Sequence, residues 1–168
     1  MGSMGALPYL TSVLTSCGSV KERYVPINLT QEQYDTVWHM AERILPRTLT
    51  PGAADAGVAA YFDTLFSGYL DQEAVQEILG KLEVFMANCL EKFEKGFDKL
   101  TGDQQIAYLN EIASDEESFY QDIRGISLWA YYTSEVGVKS MDYQPVPGKY
   151  NGCETVVETT KNLIGNRW

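Results

Sequence analysis

From Asp71 to Leu100 apolar side chains recur at helical spacing. Val75, Ile78, Leu79, Leu82, Phe85, Met86, Cys89, Phe93, Phe97 and Leu100 fall on one stripe, and Glu and Lys occupy the other faces. A strand shows its apolar residues with period two, so this pattern is not that of a sheet. A stripe this long has to be covered by other helices. Gly80 and Gly96 interrupt it, each at a cost of about 1 kcal/mol relative to alanine. They point to a close neighbouring helix or a bend.

Shorter helical patterns flank the stripe. Thr30 and Gln33 form a capping box, and Tyr34, Val37, Trp38, Ala41, Ile44 and Leu45 follow at helical spacing until Pro46. Arg47 to Ala56 reads as a loop with a Pro51-Gly52 turn. Val58, Tyr61, Phe62, Leu65 and Phe66 mark a second helix that ends near Gly68. After the long stripe, Thr101 and Gln104 cap a fourth helix carrying Ile106, Leu109 and Ile112. Ser114 and Glu117 form a third box, ahead of a fifth helix carrying Phe119, Tyr120, Ile123 and Ile126 and ending near Thr133. No strand-like alternation persists. The expected fold is all-α: a bundle of about five helices over residues 29–134.

The stretch from Ser127 to Cys153 changes character midway. It starts as an aromatic helix and runs into Pro145, Pro147, Gly148 and Gly152, which suit neither helix nor regular sheet. It stays rich in aromatic and aliphatic residues, unlike a disordered tail. Residues 135–168 are therefore expected to form a long extended arm that lies on a surface of this chain or of a partner. Its candidate anchors are Trp129, Tyr131, Tyr132, Tyr143, Pro145, Val146, Pro147 and Tyr150, since aromatic side chains dominate such contacts and prolines pre-set the backbone.

The 168 residues carry a net charge of −10 with no visible cluster of Lys and Arg. A nucleic-acid-binding face needs such a cluster, so no nucleic acid is expected as a partner. Residues 1–28 form a separate lead-in. Met1 to Ser16 has no charged side chain and ends at Cys17, and Leu14-Thr15-Ser16-Cys17 fits the bacterial lipobox. On that reading the preceding residues are the end of a secretory apolar region, and Cys17 is lipidated and holds the chain to a membrane. The alternatives are a buried N-terminal helix or a disordered arm. No apolar run is long enough to span a bilayer. Cys89 falls on the apolar stripe and reads as a small buried hydrophobe. Cys153 is then left over, and an odd cysteine in an exported protein points to a disulfide with another chain.

Catalytic signatures do not emerge. His39, the one histidine, has no ExxH or HxxxH partner, and reads as a helix-surface residue. There is no glycine-rich nucleotide loop, CxxC pair or CxxCH haem motif. Asp115, Glu116 and Glu117 sit at a helix start, where they favour the helix dipole. No catalytic, cofactor-binding or metal residue is assigned, and the residues read as a non-catalytic helical subunit.

Several segments in order carry a family resemblance: LTQEQYDTVWHMAERILP, TPGAADAGVAAYFD, the long amphipathic helix, FDKLTGDQQIAYL, SFYQDIRGISLWAYYTSEVG and MDYQPVPGKYNGC. From about Leu29 to Cys153 the chain resembles the gluconate 2-dehydrogenase subunit 3 family. These are the small subunits of membrane-associated, FAD-dependent sugar and polyol dehydrogenases. The resemblance implies a non-catalytic subunit that binds a large flavoprotein of the glucose-methanol-choline type and holds no flavin itself. It implies twin-arginine export of the folded pair to the periplasm, and in some complexes a c-type cytochrome as third partner. No twin arginine occurs here, and a lipobox is not general to the family. The competing expectation is a stand-alone helical lipoprotein that binds a small ligand within its bundle.

Overall fold

The computed structural model describes residues 24–115 and 118–141. These form six α-helices and one 3-10 turn, with no strand among the described residues. The helices are α1 (Gln31–Ile44), α2 (Val58–Leu65), α3 (Gln72–Phe93), α4 (Gly102–Ile112), α5 (Phe119–Thr133) and α6 (Glu135–Ser140), with the 3-10 turn Phe97–Lys99 between α3 and α4. The all-α class and the five-helix bundle are as the periodicity requires.

Local chemistry sets the helix starts. The Thr30 hydroxyl accepts from the Gln33 N–H at 3.2 Å, and the Gln33 side chain accepts from the Thr30 N–H at 2.9 Å. Thr101 and Gln104 repeat the arrangement at 3.3 and 3.0 Å. Each box satisfies donors that a helix start leaves orphaned. The Asp71 carboxylate accepts from the Ala74 N–H at 2.8 Å and starts α3.

Three expectations shift. The long stripe is not one helix: α3 stops at Phe93, and Glu94 takes the left-handed conformation at φ 55°. Phe97 and Leu100 still bury, from the 3-10 turn and the segment after it. The fifth helix begins at Phe119 with Ser118 in the N-cap position, not at Ser114. The Ser118 hydroxyl donates to the Asp115 carbonyl at 2.7 Å. Finally, the chain beyond Ser134 does not become extended at once. Glu135–Ser140 is helical, capped by the Ser134 hydroxyl, which accepts from the Gly137 N–H at 3.0 Å. A Cβ on Gly137 would overlap the Tyr131 carbonyl, so only glycine lets α6 fold back this tightly on α5. The rest of the expected arm lies outside the described residues.

The main core joins every long helix. Met40 of α1, Phe62 of α2, Leu82, Phe85 and Cys89 of α3, Tyr108 of α4, and Phe119 and Ile123 of α5 pack with Phe97. Their rings meet mostly edge-on or tilted, as for Phe85 and Phe97 at 5.2 Å. Full burial of each large apolar side chain contributes roughly 1.5–3 kcal/mol. A second, smaller cluster holds Ala41, Ala53, Val58, Ala130 and Tyr131, and seats the end of α5 on the loop before α2.

Candidate functional site

The end of α5 divides into two faces. Ile123, Ser127, Ala130 and Tyr131 turn inward and are buried. Trp129 is 65% exposed and Tyr132 46% exposed, one helical turn apart on the outer face. The exposed Gly125 precedes them by one turn, and among the described residues nothing beyond its own stretch of helix lies within 4 Å of where its Cβ would be. The Thr133 hydroxyl donates to the Trp129 carbonyl at 2.7 Å and ties down the last turn.

Tyr131 is not a free anchor, contrary to the sequence expectation. It is 5% exposed, and its hydroxyl donates to the Pro51 carbonyl at 2.8 Å. Its ring fills the smaller core cluster, so its role is to hold α5 to the 47–57 loop. Of the expected anchors the structure brings Trp129 and Tyr132 together on one surface. Tyr143, Pro145, Val146, Pro147 and Tyr150 lie outside the described residues, as do Cys17 and Cys153.

The loop that receives Tyr131 is itself stiffened. The Arg47 guanidinium pairs with Asp55, whose carboxylate also accepts from the Gly52 N–H at 2.9 Å. The Ala54 N–H donates to Glu42 at 2.6 Å. Gly57 turns into α2 at φ 69°. Leu49 projects fully exposed from this braced loop.

One organising residue escaped the sequence reading. Asp63, in the middle of α2, is buried and faces Tyr24 to Leu29. Its carboxylate accepts from the Tyr24 hydroxyl at 2.8 Å and from the N–H groups of Ile27, Asn28 and Leu29 at 2.8, 2.9 and 2.8 Å. Burial pushes this carboxyl up, but the Ile27 N–H, the Tyr24 hydroxyl and the other two amides outweigh it and hold it below its usual value. Tyr24 is pushed the other way, to about 12, by burial and by the Asp63 carboxylate. Asn28 completes the clasp by donating to the Asp63 carbonyl and the Ser67 hydroxyl, both at 2.8 Å. The available signal was an acidic residue on an apolar helix with Ala59 and Ser67 at i−4 and i+4, hence no cation within the helix to pair it.

Burial also perturbs Cys89 and His39. Cys89 is fully buried, and burial pushes its thiol up to about 11, so it stays protonated and unreactive. His39 is partly buried against the edge of Trp38, and burial lowers its pKa. Among the described residues no three His, Cys, Asp or Glu side chains are grouped to hold a metal. No helix among them is long and apolar enough to cross a membrane. A cleft of about 150 Å³ lies between α3, α1 and the 3-10 turn, lined by Thr36, Met86, Ala87, Leu90 and Phe97 with Glu32 among its lining residues. That is below the roughly 300–1,000 Å³ of small-molecule sites.

The sequence profile of the gluconate 2-dehydrogenase subunit 3 family matches residues 31–148, from the first residue of α1 to Gly148. The chain belongs to that family. Membership implies that it is a subunit of a multi-subunit dehydrogenase complex. Comparison with the curated proteins and with the solved structures found no match. The subunit 3 match takes in α5 and its exposed aromatic pair.

Proposed function

We propose that this chain is the non-catalytic small subunit of an FAD-dependent sugar dehydrogenase of the periplasm. In this reading it binds and stabilises a large flavoprotein of the glucose-methanol-choline type and accompanies it through twin-arginine export. The flavin belongs to the large subunit, as does the sugar chemistry. A c-type cytochrome is a further partner where electrons pass on to the membrane. Lipid on Cys17 would anchor the complex there.

Trp129 and Tyr132 carry the proposal. Two large aromatics stand in water on the outer face of a helix whose inner face is fully packed. Exposing them costs hydrophobic free energy that the packing of the described residues does not recover. Rigidly held aromatics are the usual centres of protein interfaces. They also belong to the segment matched by a family of complex-forming subunits.

Co-expression with the flavoprotein encoded beside it tests the reading. The two chains are expected to co-purify, and the Trp129→Ala, Tyr132→Ala double variant to bind at least ~10-fold more weakly at unchanged melting temperature. A wild-type chain that remains a stable monomer in the presence of the flavoprotein would sink the proposal.

A further inference from the structure

The outer face of α3 is unexplained by the packing of the described residues. Gly80 sits mid-helix and exposed, and a Cβ there would meet nothing within 4 Å. No neighbour among the described residues therefore requires glycine, although glycine weakens a helix relative to any ordinary residue. One turn on, Val84 is 60% exposed; Leu90, further along, is 57% exposed. Between them lies the exposed Ala87, which lines the cleft beside Leu90.

Charge frames this apolar centre. Glu73, Glu83 and Glu91 are exposed on the same side of α3, and none has a hydrogen-bond or ion-pair partner among the described residues. The two lysines within α3 are already engaged: Lys81 pairs with Glu77 and Asp122, and Lys92 with Glu111.

We infer that this face of α3 docks an amphipathic helix of the large catalytic subunit. One apolar side chain of that helix fills the cleft, and Lys or Arg on its flanks oppose Glu73, Glu83 and Glu91. Gly80 and Ala87, two turns apart, let the helix axes approach closely. The acidic rim selects a basic partner and sets the register. A second copy of this chain is a poor occupant, because its own three carboxylates would be brought against them. The inference rests on the subunit reading above and adds a second contact, independent of the α5 aromatics.

Binding of the co-expressed flavoprotein is measured for wild type, for Gly80→Leu and for the Glu83→Lys, Glu91→Lys pair, with melting temperatures of each isolated chain. Gly80→Leu is expected to weaken the complex at least ~10-fold while the isolated chain melts no lower than wild type, since leucine favours helix and has room. The charge-reversed pair is expected to lose at least ~10-fold at low ionic strength, and much less at high salt. A wild-type complex that Gly80→Leu leaves within twofold overturns the inference and leaves the subunit reading standing. Absence of any wild-type complex overturns both. Should the isolated chain instead form a dimer that Gly80→Leu abolishes, the occupant is a second copy and the inference falls.

Discussion

Asp63 shows how much one side chain can organise. A buried carboxylate is costly unless its lone pairs are filled, and here four donors fill them. In return three consecutive backbone N–H groups, which no helix or strand would satisfy, find an acceptor. Asp63→Asn puts an amide N–H among those donors. A loss of about 2–3 kcal/mol is expected, seen as a fall of roughly 5–10 °C in melting temperature. The pH dependence follows from the direction of the shift. The folded carboxyl lies below its usual 3.8, so its contribution is complete above about pH 4 and is lost as pH falls through the folded value. The gap in melting temperature between wild type and Asp63→Asn should therefore narrow in acid. A gap that stays constant from neutral pH to about pH 2 would contradict this account.

At the level of elements, α6 depends on a single missing atom. Gly137→Ala drives a Cβ into the Tyr131 carbonyl, so α6 has to move off α5 or unwind. Overpacking of this kind costs typically 1–3 kcal/mol. Amide exchange should show residues 135–140 losing protection while α1 to α4 keep theirs; unchanged protection at those amides would refute it. This helix also marks the limit of what the chain discloses before folding. α1, α2, α4 and most of α5 were legible because their stripes and caps are written within a few residues, as in the Thr30 and Thr101 boxes. α6 was not, because a six-residue segment with a central glycine has little helix preference, and its stability comes from the end of α5. The Asp63 clasp was hidden for the same reason, its partners lying 34 to 39 residues away. The division of α5 was within reach: Ile123, Ser127, Ala130 and Tyr131 share one helical stripe, and Trp129 and Tyr132 fall off it. Reading the aromatics as one cluster put Tyr131 on the wrong side.

On the scale of the whole molecule, the proposed complex makes a prediction about cysteines. The Cys89 thiol is sealed in the core and stays protonated, so it does not compete for a partner sulfur. Cys153 falls after the family-matched segment, where a bond to the large subunit would fasten the two chains in an oxidising compartment. The complex isolated without reductant should run as one band of summed mass on a denaturing gel, and Cys153→Ser should split it. Identical migration with and without reductant would remove the covalent link from the proposal and leave the binding intact. The bond from Tyr131 to Pro51 spans 80 positions of the chain and has a consequence in time rather than space. Synthesis delivers α1, the 47–57 loop and α2 long before the residue that closes the cluster they share. A nascent chain stopped short of Ala130 carries that cluster open to water, its alanines and Val58 available to chaperones or to other unfinished chains. The fold is thus completed only once α5 has left the ribosome and Tyr131 drops onto the loop.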